Sequence, residues 1–221
     1  MNLLDVIGPV MIGPSSSHTA GAVRLGLMAI SILGEWPQQA EIDLHGSFAQ
    51  TYRGHGTDMA LLAGLMGWLP DDARIPEAKA FAQEKGLVYS FVKVNLGDLA
   101  HPNTVCFNLT GRSGRTCQVT GSSIGGGQVL ITEIDGCPVE LNGCLPGVLV
   151  AHRDRRGVIA IVSSALAAAG INIASMRVFR VKKGGIATMI IECDQKVPAE
   201  AIASIQALEA VESVRFINNV L

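Results

Sequence analysis

The sequence carries almost no excess charge: 17 Lys and Arg stand against 19 Asp and Glu, for a formal charge of −2. A chain without a basic stripe has nothing to neutralise a phosphate backbone, so nucleic acid is not an expected partner and the bound species should be small. Mean hydropathy is positive, yet each apolar run is broken by Gly, Pro or charge before the roughly 18 residues a membrane span requires. Residues 1–14 lack the basic n-region and A-x-A site of a signal peptide, with Asp5 near the start instead. A cytoplasmic location is therefore expected. The five cysteines, Cys106, Cys117, Cys137, Cys144 and Cys193, include no C-x-x-C pair and read as mostly buried small apolar residues, not as a metal or cluster site. No fixed-period repeat or low-complexity tract is present. Neither G-x-G-x-x-G frame completes: Gly54 and Gly56 are followed by Met59, Gly125 and Gly127 by Leu130. With no Walker A run and no G-x-S-x-G elbow, nucleotide cradling and serine hydrolysis also drop out.

What is present is apolar content, 48% of 221 residues, enough for two small cores. The clearest boundary is Asn142-Gly143-Cys144-Leu145-Pro146-Gly147, giving expected domains over 1–144 and 147–221. Beyond it the pattern is easy to read. Strand 148–151 precedes helix 157–169, with Val158, Ile161, Val162, Ala165 and Leu166 on one face and Gly170 as its stop. A strand over 171–181, a turn at Lys182-Lys183-Gly184-Gly185 and a returning strand over 186–193 follow. A helix opened by Pro198 and a last strand over 211–217 complete βαββαβ, the ferredoxin-like plait.

The first two-thirds also reads as α+β. Helices are predicted over 20–33, 58–69 and 76–85, with a strand over 41–45 between the first two. From 87 to 142 the chain alternates as strands (88–96, 104–110, 116–121, 128–134, 139–141) joined by Gly-rich turns, implying a curled antiparallel sheet or partial barrel.

Chemistry concentrates in short polar runs. Gly13-Pro14-Ser15-Ser16-Ser17-His18-Thr19-Ala20-Gly21 sits where the first helix begins; hydroxyls and free amides at a helix start suit a carboxylate or phosphate, although one serine would suffice for a plain N-cap. In Gly54-His55-Gly56-Thr57-Asp58 a histidine stands between glycines, open to a ligand and titrating near cellular pH, or else simply a solvated turn residue. Ser123-Ile124-Gly125-Gly126-Gly127-Gln128 is a turn that allows close backbone packing or carboxylate contact. His45, in a strand, and His101, before Pro102, read as structural.

These runs, together with Asp5-Val6-Ile7-Gly8-Pro9, resemble the signatures of the β chain of the iron–sulfur-dependent L-serine dehydratases, and the resemblance extends over nearly the whole chain. It implies an allosteric-substrate-binding-like domain, related to one in some phosphoglycerate dehydrogenases, followed by an ACT domain. The ACT pattern is carried by Asp154, Gly157, Ile161, Leu166 and Ile171-Asn172-Ile173, with Arg156 where many such domains have Pro. Asp154, Gly157 and Asn172 are the implied effector residues, for an amino acid or a monovalent cation, and exposed sheet edges suggest homodimerisation through this domain.

The resemblance further implies a partner α chain whose cysteines hold a [4Fe–4S] cluster, with no metal ligand in this chain. L-Serine would undergo α,β-elimination to pyruvate and ammonia. Ser15, Ser16, Ser17 and Thr19 would help hold its carboxylate, and His18 or His55 would act as acid or base. Two other readings compete: a non-catalytic amino-acid-sensing module, and a stand-alone metal hydrolase built on His18, His45 and His55.

Overall fold

The computed structural model describes residues 9–180 and 182–221. The chain divides into two units, one of Met1–Asn142 and Val220–Leu221, the other Gly143–Asn219. Of the opening run 5–9, only Pro9 lies within the described residues.

The first unit starts with a π-helical turn, Ser16–Gly21, that leads directly into α1 (Ala22–Leu33). Gly34, at φ 79°, closes α1 as a left-handed cap. β1 (Pro37–His45) follows, then a short helix α2 (Gly46–Thr51) and α3 (Thr57–Leu65). A 3₁₀ turn (Ile75–Glu77) precedes α4 (Ala78–Glu84). The rest is β2 (Val88–Val94), β3 (Thr104–Gly111), β4 (Thr116–Gly125), β5 (Gln128–Ile134) and β6 (Cys137–Leu141). They form one six-stranded sheet in the order β2-β1-β3-β4-β5-β6.

Two details depart from the sequence reading. The sheet is mixed, because β1 and β2 run parallel, Gln39 opposite Val88 through His45 opposite Val94. Parallel strands need a long crossover, and the helices between residues 46 and 84 supply it. Helix α2 was also unanticipated, and α3 stops at Leu65 where 58–69 was expected, the chain turning left-handed at Gly67 (φ 77°).

The core lies where α1 packs against α3 on one side and against the sheet on the other. Leu25, Met28, Ile32, Ile42, Leu44, Leu61, Leu62 and Phe107 are fully buried, each side chain contributing about 1.5–3 kcal/mol of transfer free energy. Helix α3 is apolar all round and correspondingly enclosed. Its one charge, Asp58, is buried and meets Lys79 Nζ at 2.5 Å. α1 and α3 approach closely because glycines face each other: a Cβ on Gly26 would lie 2.6 Å from Leu61 O and 2.8 Å from Gly64 Cα.

The second unit comprises β7 (Gly147–Arg153), α5 (Val158–Ala168), β8 (Ile173–Arg180), β9 (Ile186–Cys193), α6 (Ala199–Gln206) and β10 (Val211–Ile217). The strands form an antiparallel sheet in the order β10-β7-β9-β8, the ferredoxin-like plait. Its core joins Val148, Val150, Met189 and Ile191 of the sheet to Val162, Leu166 and Ile205 of the helices. The buried stripe of α5 is Val158, Val162 and Leu166; Ile161, expected with them, is exposed. Pro198 is an extended cap just outside α6 instead of its first residue. Among the described residues no helix is long and apolar enough to cross a membrane.

Candidate functional site

The hydroxyl-rich run folds into the π turn. Ser15, extended at φ −146° and ψ 128°, caps it: His18 N–H donates to Ser15 Oγ at 3.3 Å and Thr19 N–H to Ser15 O at 2.8 Å. Such turns are wider than an α-helical turn and are often found at functional sites. Close packing keeps side chains away from both ends, since a Cβ on Gly13 would collide with Thr19 and one on Gly21 with Ser123 Oγ. Ser15, Ser16, Ser17 and His18 are half-buried. Thr19 is buried against Gly13, so of the four expected carboxylate ligands it belongs to the packing beneath the turn.

The second motif becomes the turn between α2 and α3. His55 N–H donates to Thr51 O at 3.0 Å, and Thr57 N–H to Tyr52 O at 2.9 Å. Gly56, at φ 69°, is the left-handed cap of α3, so glycine is required there. This turn carries the exposed His55 to His18: the imidazole centroids lie 4.9 Å apart with the rings at 80°. On another side His18 meets the Phe48 ring edge-on at 5.2 Å. Its Nδ1 is 3.4 Å from Ser15 Oγ and its Nε2 3.3 Å from Ser47 Oγ.

Burial, and secondarily the neighbouring His55, lower the pKa of His18 from its usual value near 6.5. His18 is therefore neutral at neutral pH and carries a lone pair that can accept a proton. Sequence reasoning did not single out Ser47 or Phe48. The available signal was Gly46-Ser47 at the end of an alternating strand, a strand-to-helix junction of the kind that often holds functional side chains.

The third motif closes on the same helix start. Gly125, Gly126 and Gly127 all take positive φ, and Gly127 O accepts from Arg24 Nη1 of α1 at 2.6 Å. Ser123, fully buried in β4, and Thr57, fully buried at the start of α3, each have a hydroxyl with no hydrogen-bond partner among the described residues. Segments from three distant parts of the sequence thus meet at the π turn, the second at His18 and the third at Gly21 and Arg24.

Other histidines stay apart from this group. His45 Nδ1 accepts from Leu96 N–H at 3.1 Å, and His101 Nδ1 from Asn103 N–H at 3.1 Å. His45 is buried at the end of β1 and does not join His18 and His55 as a ligand set; among the described residues no three His, Cys, Asp or Glu side chains converge as a metal site. The cysteines do not gather into a ligand set among the described residues either. Four are buried, Cys144 alone being exposed. Burial pushes the Cys106 thiol up and that of Cys193 up to about 11, as for thiols packed in apolar surroundings.

In the second unit, Asp154 follows β7. Its carboxylate accepts from Gly184 N–H at 2.9 Å and Arg180 Nη1 at 2.7 Å, and these bonds lower its pKa. Gly157, at φ 87°, caps α5. Asn172 precedes β8 and donates to Asp194 Oδ2 at 2.5 Å. Asp154 is tied to the far end of β8, through Arg180, so the length of that strand, about 25 Å, separates it from Asn172. Within one copy of the chain Asp154 and Asn172 therefore lie at opposite ends of the sheet.

Comparison with known proteins agrees with this partition. The family model described as "Serine dehydratase beta chain" matches residues 3–88, and the ACT domain model matches residues 148–210. The L-serine dehydratase, beta chain, of Peptoniphilus asaccharolyticus is 40% identical over 213 residues, 96% of both chains. The probable L-serine dehydratase, beta chain, of Bacillus subtilis is 42% identical over 213 residues, again 96% of both. A D-3-phosphoglycerate dehydrogenase of Bacillus subtilis is 27% identical over 201 residues, 89% of this chain and 37% of that one. With near-complete coverage at 40–42% identity, the chain belongs to the L-serine dehydratase β-chain family.

Proposed function

We propose that this chain is the β subunit of a two-chain cytoplasmic L-serine dehydratase, and that it supplies the substrate-carboxylate turn and the acid–base histidines. The observation that supports this reading best is the approach of His18 and His55 at a hydroxyl-lined helix start. In the reaction, L-serine loses its Cα proton and its β-hydroxyl, as water. The resulting aminoacrylate tautomerises to an imine, and hydrolysis gives pyruvate and ammonia.

Ser15, Ser16 and Ser17, with the free amides and positive end of the helix start, hold the carboxylate. The hydrogen bonds that order the turn run through Ser15 and His18, and among the described residues neither the Ser16 nor the Ser17 hydroxyl is engaged. His18, neutral and half-buried, takes the Cα proton, and the exposed His55 beside it exchanges protons with solvent. The [4Fe–4S] cluster is assigned to a partner α chain, because among the described residues of this one no three Cys, His, Asp or Glu side chains converge. The ACT domain is assigned an allosteric role, with two copies needed to combine Asp154 and Gly157 of one with Asn172 of the other around an amino acid or monovalent cation.

Co-expression with an α chain, followed by iron analysis and a pyruvate assay, tests the proposal. The complex should contain iron in its α chain and form pyruvate from L-serine, while the β chain alone should do neither. A lone β chain that turns over serine would refute the division of labour.

A further inference from the structure

Both ring nitrogens of His18 face a serine hydroxyl, Nδ1 that of Ser15 and Nε2 that of Ser47. A neutral imidazole has one N–H and one lone pair, and the partner of one nitrogen decides where the lone pair lies. The two hydroxyls are not equivalent. Ser15 Oγ already accepts from the His18 backbone N–H, and it retains one hydrogen to donate, with Nδ1 as the acceptor in reach. If Nδ1 accepts that hydrogen, the neutral ring must donate at Nε2, where Ser47 Oγ is the acceptor in reach.

We infer that Ser47 is the positioning residue of His18: its hydroxyl, 3.3 Å from Nε2, holds the ring proton there and so keeps the lone pair on Nδ1, toward the hydroxyl turn. The inference rests on the reading of His18 as the base. When a substrate carboxylate draws the Ser15 hydroxyl away, the Nδ1 lone pair is released to take the Cα proton. Ser47 keeps its bond from Nε2–H in both protonation states, since it acts only as acceptor.

Ser47 is itself well held. It follows Gly46, whose left-handed backbone (φ 58°) packs against Pro102, and its carbonyl accepts from Thr51 Oγ1 at 2.8 Å. Among the described residues no carboxylate bonds to the His18 ring. A neutral acceptor orients the ring without stabilising the imidazolium, which agrees with the lowered pKa of His18.

Two measurements test this. The first is ¹⁵N NMR of the His18 side chain in the full β chain alone: the wild type should show the Nε2–H tautomer, Ser47→Thr should keep it and Ser47→Ala should lose the preference. The second is the pH profile of the assembled enzyme. Ser47→Ala should lower kcat by roughly 10-fold, part of the 10²–10⁴-fold that proton transfer supplies, with KM little changed. Ser47→Asp, which places a carboxylate behind the ring, should move the acid limb upward, a shift that a packing role would not produce. An Nδ1–H tautomer in the wild type, or an unchanged tautomer and pH profile in both Ser47→Ala and Ser47→Asp, would overturn the inference. The tautomer is read without the partner chain, so an assembly that fails to dehydrate serine would count against the proposed function and leave Ser47 to be judged by NMR.

Discussion

Gly64→Ala probes how the fold sets the distance between the two histidines. His18 precedes α1 and His55 precedes α3, so their separation depends on where these helices cross. A Cβ on Gly64 would collide with Val23 O and lie 2.8 Å from Gly26 Cα and 3.0 Å from Leu27 N. Carbon atoms in comfortable contact are about 3.5–4.0 Å apart, so the helices must part by about 1 Å. Overpacking of this kind costs about 1–3 kcal/mol, offset in part by the roughly 1 kcal/mol by which Ala favours a helix interior over Gly. A net loss of about 1 kcal/mol is expected in urea unfolding. The effect on turnover should be larger, because a displacement of about 1 Å at a proton-transfer site can lower kcat on the order of 10²-fold. Turnover unchanged in Gly64→Ala would show that the helix crossing does not set the geometry of the pair.

Three other perturbations have defined outcomes. Because the folded-state pKa of His18 is lowered, acid favours the unfolded chain: the stability it contributes is full above the unfolded value of about 6.5 and is lost as pH falls from there through the lower folded-state pKa, which urea melts across pH will detect. Replacing His55 by Gln removes the repulsion that is the lesser cause of that lowering, so the acid limb of kcat/KM should rise toward the unperturbed value; an acid limb that stays in place would refute the coupling. Lys79→Met strands the buried Asp58 carboxylate, and since Lys79 is itself about half exposed the expected loss is about 1–2 kcal/mol, less than for a fully buried pair; an unchanged unfolding midpoint would contradict it. A chain cut near Leu145 should retain a cooperative melt, because each unit has its own core, whereas a broad, non-cooperative transition would show that the first unit depends on the second.

The second unit was legible because its signals are local. Glycines at 170 and 184 and the i, i+4, i+8 spacing of Val158, Val162 and Leu166 each determine a neighbouring element. Ile161 misled because its apolar side chain falls off that stripe and lies exposed. In the first unit the parallel pairing of β1 with β2 was invisible, since strand partners separated by a helical crossover leave no mark in either strand's period. Helix α2 was hidden because it starts one residue after β1 ends, within a run too short to show a helical period. That concealed Ser47 and Phe48, two of the groups that surround His18. His18 and His55 were legible for chemical reasons, one beside serines at a helix start and the other between glycines. Their approach to 4.9 Å, by contrast, depends on the Gly26–Gly64 contact, which no local pattern encodes.

If this chain carries out the proton transfer proposed above, the kinetics of His18→Ala in the α–β complex will show it. In that variant kcat for pyruvate formation should fall on the order of 10²-fold or more, with iron content, assembly and the thermal melt of the β chain unchanged. Wild-type turnover would move the acid–base chemistry wholly to the partner.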